Sequence, residues 1–210
     1  RVMLAGRTLD VTGAGYAPEG GFHQDGAALD AMQDAELQRL ARCALLCNDA
    51  QLHHTPADGW VLAGDPTEGA LLSMARKAGL DPAEAAALTP RRDDIPFESE
   101  HRFMATLHHD HAGRVFVLLK GAPERVLSLC VNDTGGGPLD SVAWQARMDA
   151  AAAEGQRVLA LAECDLPAGT VSLNMGDITP RFTLLGLVGL MDPPRAEAVA
   201  AVAECQRAGI

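Results

Sequence analysis

Leu37, Leu40, Ala41, Ala44 and Leu45 recur at the 3, 4, 7, 8 spacing of one helical face. That pattern predicts a helix starting near Asp34 and running to about His53, before Pro56, with one face in a core. Trp60, Val61 and Leu62 predict a strand, and Asp65-Pro66-Thr67-Glu68 a second helix with Asp as cap, Pro in the first turn and Glu at the capping-box position. Gly79 ends it, and a short Ala-rich helix follows Asp81 until Pro90. Residues 95–97, 103–109 and 114–119 predict strands, the last two joined by a turn at 110–113. Helix returns at 123–129, a loop with three consecutive glycines covers 132–138, and Asp140 caps a helix that closes at Gly155. Strands are expected at 8–11, 158–162 and 182–190, with a glycine-rich loop over 13–21 and a final helix over 194–208. Adjacent strands interleaved with helices argue an α+β fold with a mainly antiparallel sheet.

Length changes the picture only by permitting a packed core: 210 residues, 48% of them apolar, bury roughly 70% of the unfolded surface. Charge changes it more. With 17 Lys and Arg against 28 Asp and Glu, the formal charge is −11, which opposes binding to a nucleic-acid backbone. No apolar run approaches the roughly 18 residues of a membrane span, and the N-terminus shows no leader pattern. Opening at Arg1 without an initiator Met, the chain reads as a piece of a larger protein. Five scattered cysteines, an odd number, predict a reducing compartment. Only Lys77 and Lys120 are lysines, so each is worth weighing.

Self-contained chemistry does not emerge. A Gly-Lys-Ser/Thr phosphate loop is absent, as is Gly-x-Ser-x-Gly. Cys43 and Cys47 lie four apart on the first helix, and His53, His54, His101, His108, His109 and His111 could in principle join them around zinc. The cysteines fall among apolar residues, however, so buried thiols are the favoured reading, and His108, His109 and His111 read as a solvated hairpin tip. What remains is an ordered series of short segments: Gly64-Asp65-Pro66-Thr67-Glu68, Ile95-Pro96-Phe97-Glu98-Ser99, Arg102-Phe103-Met104, Lys120-Gly121-Ala122-Pro123-Glu124, Gly155-Gln156-Arg157-Val158-Leu159 and Met191-Asp192-Pro193-Pro194-Arg195.

That series resembles the nucleotide-binding domain of the type II, calcium-pump-like P-type cation-transporting ATPases, over nearly the whole chain. The resemblance implies a twisted antiparallel sheet flanked by helices, with residues 1–181 as the nucleotide-binding domain and 182–210 as the start of the return into a phosphorylation domain. In that return, 184–190 would be a central strand and Asp192-Pro193-Pro194 a stiff connector, and the two ends of the domain would lie close together. It further implies that adenine stacks on Phe97, that Glu68 accepts from the adenine amino group, and that Lys120 and the neighbouring Gly121 line the purine pocket. Arg102, where the family commonly has Lys, and Arg157 would face the phosphates, with Leu159 beside the sugar and base.

The ligand implied is ATP, with Mg2+ held mostly by groups outside these residues. The family's phosphorylated Asp and its Thr-Gly-Asp and Gly-Asp-Gly magnesium segments are not in this sequence, so the chain by itself is expected to bind nucleotide, as a monomer, without catalysis. The implied partners are the phosphorylation and actuator domains of the same pump, on the cytoplasmic side of an integral protein of a bacterial plasma membrane. Three rival readings stand beside this one: a regulatory adenine-nucleotide module without transport, a Cys/His metal-binding domain, and an interaction scaffold.

Overall fold

The computed structural model describes residues 1–191 and 196–208. Four short strands, β1 (Val2–Leu4), β2 (Arg7–Val11), β3 (Phe22–Gln24) and β4 (Ala27–Leu29), precede α1 (Ala35–Leu46) and the hairpin β5 (Gln51–Thr55) and β6 (Gly59–Ala63). Helices α2 (Pro66–Lys77) and α3 (Pro82–Leu88) follow, then β7 (Arg91–Ile95), β8 (Phe103–His109) and β9 (Val115–Gly121). The remainder comprises α4 (Pro123–Leu127), β10 (Cys130–Asp133), α5 (Ser141–Ala153), β11 (Arg157–Leu166), β12 (Phe182–Leu190) and α6 (Ala196–Arg207). The Asp192-Pro193-Pro194-Arg195 connector lies outside the described residues.

Ten strands form one sheet in the order β4-β3-β2-β1-β12-β11-β9-β8-β7, with β10 added in parallel to β12 and every other pairing antiparallel. The fold is therefore α+β with a mainly antiparallel sheet. Strand β12, expected to belong to the return segment, is hydrogen-bonded between β1 and β11. The Arg1 backbone nitrogen donates to the Gly189 carbonyl at 3.0 Å, which puts the start of β1 beside the end of β12. Gly186, at φ 151°, permits this approach, because a Cβ there would meet the Met3 carbonyl oxygen at 2.4 Å.

Alternation along the long strands divides the core in two. Met104, Phe116, Leu118 and Leu161 pack with the apolar stripes of α1 and α2, while Phe103, Ala105, Leu107, Val117 and Leu119 pack on the other face with α4 and Trp144 of α5. The helix starts follow the expected chemistry: Asp34, Asp65, Asp81 and Asp140 each accept backbone N–H bonds as caps, and Pro follows two of them directly.

Several boundaries differ from expectation. Helix α1 stops at Leu46 rather than near His53, because the Asn48 carboxamide oxygen accepts the Ala50 N–H and residues 51–55 pair with 59–63 instead. The strand expected at 95–97 is β7, ending at Ile95 and leaving Phe97 in a loop. Strand β11 runs on to Leu166, while β1, β3, β4 and β10 were not foreseen. The largest correction concerns His108, which is not at a solvated tip: it is fully buried, with Nδ1 2.9 Å from the Thr89 carbonyl and Nε2 2.8 Å from Thr106 Oγ1. Burial pushes its pKa down to about 4, with Arg91, Arg42 and His109 adding to the effect.

Candidate functional site

The first turn of α2 sits over one end of the sheet. Asp65 Oδ1 accepts from the N–H groups of Thr67 and Glu68 at 2.8 and 3.3 Å, which fixes the helix start and points Glu68 across to the strands. Burial tends to raise the Asp65 carboxyl, but those N–H bonds and the Arg157 charge outweigh it and hold its pKa below the usual value. Glu68 does not close the expected capping box on Asp65; instead Oε2 accepts the Asp49 N–H at 3.2 Å and Oε1 takes the Lys120 ammonium. The pair is largely withdrawn from water, its side chains 17% and 7% exposed.

Lys120 stands in a cross-strand row with Met104 and Leu161, and Gly121 in the next row with Phe103 and Ala160. Glycine is required there, since a Cβ would meet the Arg102 carbonyl oxygen at 2.4 Å and Phe103 Cα at 2.7 Å. That close approach carries the Ala122 N–H to the Arg102 carbonyl at 3.0 Å, so the Arg102 and Lys120 segments meet through their backbones. Arg102 is left-handed, at φ 58°, and its N–H closes a turn on the Glu98 carbonyl at 2.8 Å. This turn holds Phe97, which is 58% exposed although Phe22, Phe103, Phe116 and Phe182 are all buried.

Arg157 begins β11 and lines a cavity of about 430 Å3 with Pro66, Thr67, Tyr16 and Leu190. Leu159, two residues on, packs against the α1 and α2 core. Glu68 and Lys120 are thus in contact, Gly121, Arg102 and Phe97 follow from the same strand ends, and Leu159 and Arg157 lie on the adjoining strand. The Arg102 guanidinium is committed to Glu124 at 2.9 Å, both side chains 51% exposed.

The sequence reading missed Asp49, Asn48 and Glu124. Asn48 Nδ2 donates to the Glu68 carbonyl at 3.1 Å, so the loop after α1 holds the residue that faces Lys120. The Cys47-Asn48-Asp49-Ala50 segment was the available signal. Cys43 and Cys47 are buried thiols that point at the carbonyls of Leu119, Ala162 and Met104, and burial raises both pKa values. Among the described residues no group of three or more His, Cys, Asp or Glu side chains converges in a way that could hold a metal ion, and no helix is long and apolar enough to cross a membrane.

Residues 36–197 match the family model for the P-type ATPase cytoplasmic domain N. The chain belongs to that family. It is 40% identical over its whole length to a protein of Synechocystis named cation-transporting ATPase pma1. It is 32% identical, again over its whole length, to the calcium-transporting ATPase of Bacillus subtilis, and 32% identical over 98% of the chain to the calcium-transporting ATPase type 2C member 1 of Bos taurus. The chain spans 24%, 24% and 20% of these relatives, so the N domain resembles one segment of proteins several times longer.

Proposed function

We propose that this N domain binds ATP at the sheet end formed by Phe97, Arg102, Lys120 and Gly121, and presents the γ-phosphate to a phosphorylation domain of the same protein. Phe97 is the ring on which adenine stacks, Glu68 accepts from the exocyclic amine, and Lys120 and Gly121 line the base pocket. Leu159 packs beside the sugar and base, and Arg102 and Arg157 face the phosphates.

The observation that carries this reading is Phe97 itself: a phenyl ring left in water on the turn that the Arg102 N–H closes, in a chain that buries its other phenylalanines. Stacking on such a ring contributes about 1–3 kcal/mol, and each charge-assisted phosphate contact about 1.5–3 kcal/mol. Lost translational and rotational freedom costs about 4–15 kcal/mol, so the expected Kd is on the order of 0.1–10 mM.

Arginines suit the phosphate chain rather than a metal ion, so Mg2+ arrives with ATP and is not assigned to ligands of this chain. Phosphoryl transfer itself rests on positioning and metal, and residues 1–210 contain no Asp-Lys-Thr-Gly-Thr loop; the domain by itself binds and does not react. Residues 1–181 form the nucleotide-binding unit and 182–210 lead out of it toward the phosphorylation domain, β12 staying bonded to the unit on the way. The whole protein is proposed to be a cation pump of a bacterial plasma membrane.

NMR titration with ATP, with and without magnesium, tests the site. Shifts should centre on Phe97, Glu68, Lys120 and Arg157. Unchanged binding in both Phe97→Ala and Lys120→Ala refutes the assignment.

A further inference from the structure

We propose that the half-open cavity between α1, α2, α3 and β5 is a second ligand site, built for a small carboxylate with an apolar body. It measures about 340 Å3, and Leu45, Leu46, Leu52 and Leu72 supply apolar wall. That volume lies at the small end of ligand cavities, which run from about 300 to 1,000 Å3. Two guanidinium groups, Arg76 and Arg91, also line it.

These cations are unevenly satisfied. Arg76 forms no ion pair among the described residues; it lies 5.0 Å over the Trp60 ring and reaches the Leu52 carbonyl only at 3.4 Å. Arg91 gives Nη1 to Asp49 at 2.7 Å and Nη2 to Asp94 at 3.2 Å. In both residues Nε is shielded from the cavity as well as from solvent, which leaves the Nη groups as the donors open to a ligand. The Arg76 guanidinium, without an anionic partner, favours a carboxylate. His108 in the wall offers no third donor, because both ring nitrogens are engaged with Thr89 and Thr106. One unpaired guanidinium, that of Arg76, beside a leucine wall fits one carboxylate on a hydrocarbon body better than a more highly charged phosphate.

The cavity also borders the site described above. Arg91 holds the Asp49 carboxylate, and the Asp49 N–H donates to the same Glu68 carboxylate that takes Lys120. A carboxylate that shares Arg91 loosens Asp49 and, through it, Glu68. This second step rests on the nucleotide reading; the cavity's ligand does not.

Octanoate titrated into the 210-residue domain, followed by methyl and amide NMR without nucleotide, tests the site. Saturable shifts are expected at Leu52, Leu72 and Ala86, with 1-octanol, acetate and inorganic phosphate each at least about tenfold weaker. Arg76→Gln, which removes the unpaired cation, and Ala86→Met, which plugs the cavity from the exposed face of α3, should each weaken octanoate by about tenfold or more. The absence of saturable shifts, equal binding of 1-octanol or phosphate, or wild-type binding in both variants overturns the proposal. Saturating octanoate should then lower ATP affinity about fivefold, the small end of typical coupling. Unchanged ATP affinity removes the coupling alone, whereas failure of ATP to bind at all counts against the nucleotide reading and leaves the octanoate result standing.

Discussion

The two faces of the β8, β9 and β11 strands are made of alternate residues of the same chain, yet they differ in kind. The face toward α4 and α5 presents Phe103, Ala105, Leu107, Val117, Leu119 and Ala162, without a buried charge. The face toward α1 and α2 carries Thr106, His108, Lys120 and Glu163, all buried. Each polar group there has a partner from the helical layer or its loops. Thr89 meets His108, Glu68 meets Lys120, and Arg39 of α1 meets Glu163 at 2.7 Å. Buried polar groups are costly unless paired, so one face is chiefly scaffold and the other has its register fixed by specific contacts. The candidate site lies on the less economical face.

Four measurements can break or sharpen that contrast. The largest effect belongs to the apolar face: Phe182→Ala, remote from the candidate site, should cost about 3–5 kcal/mol in urea unfolding, with ATP affinity of the folded protein changed less than about twofold. A comparable loss in affinity would erase the distinction between the faces.

Next comes acid. His108 has a folded pKa of about 4 against an ordinary 6.5, so the unfolded chain binds the extra proton between those values. Its contribution is therefore intact above pH about 6.5 and lost as pH falls toward 4, by about 3 kcal/mol in total. Comparing unfolding of the wild type with His108→Gln across that range isolates it. Equal slopes in the two proteins would contradict the burial argument.

Lys120→Met should cost less stability, about 1–3 kcal/mol, because Glu68 keeps some access to water, but nucleotide binding should fall at least about tenfold. Calorimetry on the folded variant separates the two. The smallest effect is expected at Glu124→Gln: under about 1 kcal/mol in stability, since its pair with Arg102 is exposed. Freed of that carboxylate, Arg102 should raise ATP affinity about two- to fivefold while adenosine affinity stays level. A parallel gain for adenosine would show that Arg102 does not address phosphate.

Much of the fold was legible because its determinants are local. The Asp-Pro starts of α2 and α3, the Gly79 end and the hairpin turn between β8 and β9 all lie within a few residues of the chemistry that makes them. The end of α1 was misread because Leu52 continues the apolar spacing; the partner that makes 51–55 a strand is a separate segment, 59–63. The charged run Arg91-Arg92-Asp93-Asp94 conceals an edge strand whose polar side chains find partners elsewhere, as Asp93 does by accepting the Leu173 N–H at 2.8 Å. His108 looked exposed because it lies near a turn, and only the layer of α1 and α3 above its face makes it core. At the candidate site, Glu68 and Lys120 could be named from their motifs, but their mutual bond, and the commitment of Arg102 to Glu124, depend on side-chain directions that no motif encodes.

The placement of β1 against the end of β12 has a mechanical corollary. Arg1 and Gly189 exchange two bonds of 3.0 Å at the corner where both strands terminate. Tension applied by a neighbour through these two points would open the pair like a zip, rung by rung, instead of shearing all its rungs together. The weak spot under load is then this interior seam, which would part β1 to β4 on one side from the strands β12, β11, β9, β8 and β7 on the other.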